Sequence, residues 1–370
     1  MQAEIIDILK IIFITFIFSA CIMPLMKKIA IHIGAIDIPR SEEENRHIHK
    51  KTMPKLGAVG IFLGFLFGYM LFGEQSVRMN SILIGSFIMI LTGIVDDIKP
   101  IKAYQKLIGQ FIASSIIVFY GGILLNDITA FGFSIDFGML AYPITLLFMV
   151  ACSNIINLID GLDGLSGGVC SIFFLTIGII GLYQGRSGSL VMILTFIMLG
   201  STLGFLVHNF YPAKIFAGDC ATFMGFIISV ITLLEFKGPA LTSFFVPIMI
   251  LGIPILDTLF AIIRRVLKGK PIFSADKQHL HHQLLGMNFS QRTTVLIIYG
   301  MNILFAAASI FYTLKDQLVG EIIYIIIFII VLWFVLHTSI ISEKNPKRAK
   351  LVKDTLKKTK DKKLKLNKNI

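Results

Sequence analysis

Charge is scarce in this chain. Only 15% of its 370 residues are Asp, Glu, Lys or Arg, against roughly 25% in soluble domains, which excludes an ordinary water-soluble globule. Cysteine is scarce too. Cys21, Cys152, Cys170 and Cys220 stand singly in or beside apolar stretches, without the paired spacings of a disulfide framework or a thiolate metal site. The apolar segments do not alternate with polar residues, which excludes a membrane β-barrel. No internal repeat and no second, soluble domain is visible. The first apolar block follows Glu4 and Asp7 rather than basic residues and lacks a small-residue cleavage site, so it reads as a retained span and not a secretion signal.

What the chain does have is long hydrophobic runs. It is 55% hydrophobic with a mean hydropathy of +0.82, and the apolar residues come in blocks of about 20, enough to cross a hydrocarbon core of ~30 Å. Spans are predicted at about 5–27, 56–73, 79–95, 105–122, 139–157, 165–183, 189–207, 217–234, 242–264, 293–313 and 318–340. The expected fold is therefore an all-α integral membrane protein, a polytopic bundle of about eleven transmembrane helices over residues 1–341. A basic tail follows over 342–370. Lys28, Arg40, Arg46, Lys50, Lys51 and Lys55 crowd one short connection, and Arg264, Arg265, Lys268, Lys270 and Lys277 another; the opposite loops carry Glu74, Asp127, Asp136 and Asp316. Basic loops stay cytoplasmic, so the N-terminus is expected outside and the C-terminus in the cytoplasm. The net charge of +12 then reads as topology signal and attraction to the lipid bilayer or to a nucleotide, with no nucleic acid implied.

Ionisable groups cost about 2.5–3.5 kcal/mol at the centre of a span, so their placement carries information. With this topology nearly all lie on one side. Asp96 and Asp97 end the third span; Asn154, Asn157, Asp160 and Asp163 end the fifth; Asn209, Lys214 and Asp219 lie between the seventh and eighth; Asp257, Arg264, Arg265, Asp276 and the histidines follow the ninth. The three-residue spacing from Asn154 to Asp163 drifts about 60° per step on a straight helix. Gly161, Gly164, Gly167 and Gly168 should end or kink that helix near Asp160, turning the four polar groups toward one pocket, with free N–H groups of the next helix available to an anion. Carboxylates beside lysines and arginines suit Mg²⁺ bridging protein oxygens to phosphates, with the basic groups on the phosphates themselves. A diphosphate substrate is the expectation. His279, His281 and His282 lack the cysteine or second histidine pair that would complete a zinc tetrahedron; they are expected to be phosphate or sugar ligands, with a purely structural role as the alternative. Asp257, one to two turns before Arg264, reads as a structural ion pair at least as readily as a catalytic group.

The segments GIVDD, NLIDGLDGLSGG, KIFAGD and DKQHLHHQLLG, in this order, resemble the polyprenyl-phosphate N-acetylhexosamine-1-phosphate transferases over about residues 20–340. His-Leu-His-His, in place of three consecutive histidines, favours the bacterial N-acetylglucosamine branch over the related phospho-N-acetylmuramoyl-pentapeptide transferase, which stands as the alternative; a secondary transporter is a more distant one. The resemblance implies transfer of N-acetylglucosamine-1-phosphate from UDP-N-acetylglucosamine to undecaprenyl phosphate, with release of UMP, at a Mg²⁺-dependent site on the cytoplasmic side of the cell membrane. It implies Asp219 as the metal ligand and Asp96 and Asp97 as a catalytic pair near the lipid phosphate. Asn157, Asp160 and Asp163 match positions of nucleotide binding and catalysis, Lys106 a substrate-binding lysine, and His279, His281 and His282 the diphosphate or sugar motif. Asp160, Asp163 and His281 are accordingly expected to be catalytic. Asn154, Asn157, Asn209, Lys106, Arg265, His279 and His282 are expected to bind substrate. A homodimer and a teichoic acid or O-antigen type product are implied by resemblance alone. Two small departures from the family pattern are Ala221, where a glycine is usual, and Gly57-Ala58, where a glycine pair is usual.

Overall fold

The computed structural model describes residues 2–38, 52–130, 133–235, 245–267, 279–315 and 317–337. Arg40, Arg46, Lys50, Lys51, Lys268, Lys270, Asp276, Lys277, Asp316 and the tail over 342–370 lie outside the described residues. The chain runs through α1 (Gln2–Ile33), α2 (Gly57–Phe72), α3 (Val77–Ile98), α4 (Ala103–Ser115), α5 (Ala141–Ile159), α6 (Leu165–Tyr183) and α7 (Leu190–Asn209). It continues through α8 (Thr222–Glu235), α9 (Phe245–Ile250), α10 (Gly252–Leu267), α11 (Leu280–Gly286), α12 (Gln291–Leu314) and α13 (Gln317–His337). Among the described residues, strands are confined to a two-residue pair, β1 (Ile36–Asp37) with β2 (Met53–Pro54), and an antiparallel hairpin, β3 (Asp127–Ala130) with β4 (Phe133–Asp136).

Among the described residues, six helices are long and apolar enough to cross a membrane, and α2 and the Leu318–Trp333 stretch of α13 are shorter apolar helices. The fold is that of an all-α membrane protein. Some of the predicted blocks differ in detail: the one expected over 105–122 is α4 to Ser115 followed by a π-helical turn over Ile116–Tyr120. The block expected over 242–264 is two helices, α9 and α10, separated at Leu251. Gly252 and Pro254 open the second of them, where a missing proline N–H costs no intrahelical bond. The block expected to begin at 217 starts its helix at Thr222, because 210–221 is spent on a loop and a 3₁₀ turn over Asp219–Ala221.

At the centre stands α8, apolar on every side, which is the signature of a helix enclosed by others. Every residue from Thr222 to Leu233 is buried. Phe223 meets Phe62 of α2 edge to face at 5.5 Å. Against α5 the approach is backbone to backbone: a Cβ on Gly225 would come within 2.4 Å of the Cys152 carbonyl oxygen and 2.7 Å of the Ser153 Cα. Small residues allow such close helix contacts. The contact brings the carboxyl end of α5 beside the turn that precedes α8.

That turn is held from a third direction. The first N–H groups of α2 have no partner within their own helix. Gly57 donates to the Phe216 carbonyl at 2.8 Å and Ala58 to that of Ala217 at 3.2 Å, while Phe216 N–H donates back to Pro54 at 2.8 Å. The segment around β2 thus pairs with Phe216 and Ala217 and delivers Lys55 and Asp219 to the same place. Ala58 fits here with its side chain fully buried. At Gly57 an added Cβ would lie 2.3 Å from the Phe205 ring.

Gly225→Ala should therefore lower the thermal unfolding midpoint in detergent, by overpacking of about 1–3 kcal/mol. Gly300→Ala on α12, where nothing lies within 4 Å of the new Cβ, should leave the midpoint equal or raise it. An equal loss for both would refute the α5–α8 contact.

Candidate active site

The carboxyl end of α3, the amino end of α4 and the turn before α8 converge on a cluster of charge. Asp96 and Asp97 are both buried. Adjacent on a helix, they diverge, yet both reach Asp219 because the turn wraps around the end of α3. Asp96 Oδ1 accepts from the Ile101 N–H at 2.9 Å, and its Oδ2 lies 2.5 Å from the Lys106 ammonium. Lys106 also donates to Asp219 Oδ1 at 2.9 Å. Asp97 Oδ1 accepts from the Asp219 N–H at 3.0 Å and faces the Lys55 ammonium at 3.7 Å. Gly218 makes the approach of turn and helix feasible: its φ is +77° and an added Cβ would sit 2.3 Å from Asp97 Oδ2. A side chain there is opposed both by backbone conformation and by the carboxylate.

A second group of polar residues lines a cavity of about 810 Å³ between α4, α5, α10 and α11. Asn154, Asn157 and Asp160 come from the end of α5, Arg265 from α10, and His279, His281 and His282 from the start of α11. The glycine run ends α5 at Ile159, and Gly164, at φ +83°, starts α6. Gly161 lets the histidine helix close on this turn, since a Cβ there would lie 2.7 Å from His281 Nε2. Asp257 orients the histidines, pairing with His279 Nδ1 at 3.0 Å and accepting from the Leu280 N–H at 2.7 Å. Its hydrogen bonds thus go to α11. Apart from Thr258, the remaining wall is apolar, with Leu107, Phe111, Val150, Ile255 and Ile262.

Electrostatics join the two groups. Burial pushes the Asp160 carboxyl up to about 6, against the hydrogen bond it accepts from Ser166 at 2.5 Å, and the charges of Asp219 and Asp163 add to the rise. Burial also works to raise Asp219, but a hydrogen bond shared with Asp96 and the nearby Lys106 outweigh it and hold this carboxyl below its ordinary range. His281 is pushed down to about 3 by burial and then by the charges of His282 and His279, with Asp257 opposing. Near neutral pH its ring is therefore neutral and can both donate and accept.

Of the residues expected in the site, Asp96, Asp97, Lys106 and Asp219 form the charged cluster, and Asn154, Asn157, Asp160, Arg265, His279, His281 and His282 line the adjoining cavity. Asp163 and Asn209 do not line it. Asp163 Oδ2 accepts from the Ala213 N–H at 2.9 Å; Asn209 accepts from Gly164 N–H and donates to the Ile215 carbonyl, each at 2.9 Å. These two clasp the Asp160–Gly164 turn to the loop that carries Asp219. Tyr299 of α12 adds a hydrogen bond to the Gly164 carbonyl. Sequence reasoning counted Lys55 as loop charge only and passed over Gln110, Ser166 and Tyr299. Gln110 had a usable signal, as a buried amide one turn beyond Lys106 in an apolar helix. It pairs with Asn154 through bonds of 2.7 and 3.4 Å.

Among the described residues, no three His, Cys, Asp or Glu side chains stand together as a ready metal cage. The donor set still suits Mg²⁺, which keeps several waters and needs one or two carboxylates besides substrate phosphates. Asp97 Oδ2 is buried with no hydrogen-bond partner among the described residues, beside the partly open carboxylate of Asp219.

The profile of glycosyl transferase family 4 matches residues 79–235. A probable undecaprenyl-phosphate N-acetylglucosaminyl 1-phosphate transferase of Bacillus subtilis is 40% identical over 331 residues, 87% of this chain and 90% of that protein. The chain belongs to glycosyl transferase family 4. The decaprenyl-phosphate N-acetylglucosaminephosphotransferase of Mycobacterium tuberculosis is 30% identical over 325 residues, covering 79% of this chain and 80% of its own. The undecaprenyl-phosphate alpha-N-acetylglucosaminyl 1-phosphate transferase of Yersinia pestis is 28% identical over 295 residues, with 76% and 78% covered. The resemblance carried by the four motifs is thereby borne out. This family 4 chain keeps its charged cluster, apart from Lys55 and the histidine wall, within the matched profile.

The Asp160 carboxyl titrates near 6 in the folded chain and near 3.9 when unfolded. Its ionisation therefore opposes folding: the effect is nil below both values, grows as pH rises from about 4 to 6, and is complete above. Asp160→Asn should raise the unfolding midpoint at pH 8 and leave it unchanged at pH 3.5. An identical shift at both would contradict the burial of this charge.

Proposed function

We infer that this chain transfers N-acetylglucosamine-1-phosphate from UDP-N-acetylglucosamine to undecaprenyl phosphate, releasing UMP. The observation that carries the reading is the convergence of Asp96, Asp97, Lys106 and Asp219 beside a cavity walled by Asp160, Arg265 and three histidines, in a chain 40% identical to a protein named for this transfer.

The chemistry suits the geometry. An oxygen of the lipid phosphate forms a bond to the β-phosphorus of the sugar nucleotide while the bond from that phosphorus to the bridging oxygen breaks, and the oxygen leaves with UMP. A phosphate monoester near pH 7 is already largely dianionic, with a second pKa of about 6, so a strong base is dispensable. The barrier lies in bringing two anions together in line, and positioned cations lower it. Lys106 and Lys55 supply positive charge at the carboxylate cluster. Arg265 and the hydrogen-bonding rings of His279, His281 and His282 supply charge and donors across the cavity. Asp219 and Asp97 would hold Mg²⁺, whose contribution when bound is to neutralise charge on the diphosphate. The apolar wall built from Leu107, Phe111, Val150, Ile255 and Ile262 offers the first isoprene units a place against the protein as the chain enters from the bilayer.

The finer topology belongs to the same reading: about eleven spans, an external N-terminus, and a site on the cytoplasmic face of the cell membrane, where the sugar nucleotide resides. Entry of the product into teichoic acid or O-antigen type glycans and assembly as a homodimer are part of the proposal through family resemblance.

Purified protein given UDP-N-acetylglucosamine, undecaprenyl phosphate and Mg²⁺ should release UMP. Asp219→Asn should lower that rate by at least 10²-fold, an effect of the size seen when one electrostatic stabiliser is removed. Near-normal turnover in the variant would remove Asp219 from the metal site; absence of UMP with the native chain would remove the reaction itself. A cysteine placed in the 186–188 turn should react with an impermeant maleimide in intact cells, and one placed at Lys102 should not. The reverse pattern would invert the topology.

A further inference from the structure

Lys106 stands where a divalent cation would be expected. Its ammonium contacts Asp96 Oδ2 at 2.5 Å and Asp219 Oδ1 at 2.9 Å, joining oxygens from α3 and from the turn before α8 as a hard cation joins carboxylates. The ammonium is held there by these two charge-assisted contacts, one of them the hydrogen bond to Asp219 Oδ1. It ends a flexible four-carbon stem, and the side chain is 30% exposed, so it has room to leave. Asp97 Oδ2, behind the same turn, is buried and lacks a hydrogen-bond partner among the described residues. The formal charge of Asp96, Asp97, Asp219, Lys55 and Lys106 sums to −1, and a divalent ion added to this set makes it +1.

We propose that Lys106 is a tethered placeholder cation: it holds Asp96 and Asp219 together in the metal-free protein, is displaced from Asp219 when a divalent ion binds, and then turns its ammonium to a phosphate of the incoming substrate. The argument is electrostatic. A divalent ion at Asp219 and an ammonium 2.9 Å from the same oxygen repel each other strongly in a partly buried site. The ammonium is the mobile partner, and its three donors suit a phosphate as a compact point charge. Metal and phosphate then assist each other, because each gives Lys106 a reason to adopt the same second position. Lys106 is thus a positioning residue for metal entry as well as a contact for substrate. The proposal rests on the assignment of Asp219 as the metal ligand, and its test needs neither sugar nucleotide nor turnover.

Mn²⁺ binding to the purified full-length chain, read by electron paramagnetic resonance of the free ion, separates the outcomes. Removing the competing charge in Lys106→Gln should tighten Mn²⁺ binding by about ten-fold, while Lys106→Arg, which keeps the charge, should bind no more tightly than the native chain. Unchanged or weaker Mn²⁺ binding in Lys106→Gln would overturn the placeholder role. Unchanged Mn²⁺ binding in Asp219→Asn would instead strike the metal assignment on which the proposal rests. A measurement on the native protein covers the case of a variant that fails to fold: Lys106 should be acetylated several-fold faster by acetic anhydride, as followed by peptide mass spectrometry, when Mn²⁺ is present without substrate. Equal or slower labelling on metal addition would show that the ammonium stays between Asp96 and Asp219, and would likewise overturn the proposal.

Discussion

Three carboxylates, Asp96, Asp97 and Asp219, are gathered where two helix ends and one turn meet, and the compensation of their charge is the condition on which the rest of the site depends. Unpaired, such groups would be costly to bury. Here Lys106 bridges Asp96 and Asp219, Lys55 faces Asp97, and the backbone N–H groups of Ile101 and Asp219 donate to Asp96 Oδ1 and Asp97 Oδ1. Each compensating group comes from a different part of the chain. The cluster therefore acts as a lock on tertiary structure: it forms only when α3, α4, the β2 segment and the turn before α8 are all in register.

The surrounding architecture serves that register. A central helix apolar on all sides, α8, gives the turn a fixed footing, and the pairing of the β2 segment with Phe216 and Ala217 fixes its height. Asp163 and Asn209 then fasten the Asp160–Gly164 turn to the same loop. A polar side chain in a family motif need not touch substrate to matter. These two take up backbone groups of a loop whose placement decides where Asp219 points.

Much of this was legible beforehand, for physical reasons. Apolar blocks near 20 residues announce membrane helices, and polar residues at their ends announce a site, because nothing else repays their insertion. The glycines from 161 to 168 marked the end of α5. The division of 242–264 into α9 and α10 was less visible, since Gly252 and Pro254 are tolerated within membrane helices as well as at their starts. The start of α8 was hidden by the apolar residues of the 3₁₀ turn, Cys220 and Ala221. Lys55 is a different kind of miss: its role depends on a pairing between segments some 160 residues apart, which no local pattern encodes. Gln110 was legible in principle, as an amide in an apolar stretch at helical spacing from Lys106.

The histidine wall has a consequence for how members of this family are recognised. Residues 79–235 match the family profile, yet Arg265, His279, His281 and His282 line the cavity and Asp257 orients the rings, all downstream of that stretch. A gene fragment trimmed to the matched region would still score as a relative, keep its acidic triad, and possess only half an enclosure. Homology judged on that stretch alone tracks the anionic floor of the chamber and is blind to its imidazole lid.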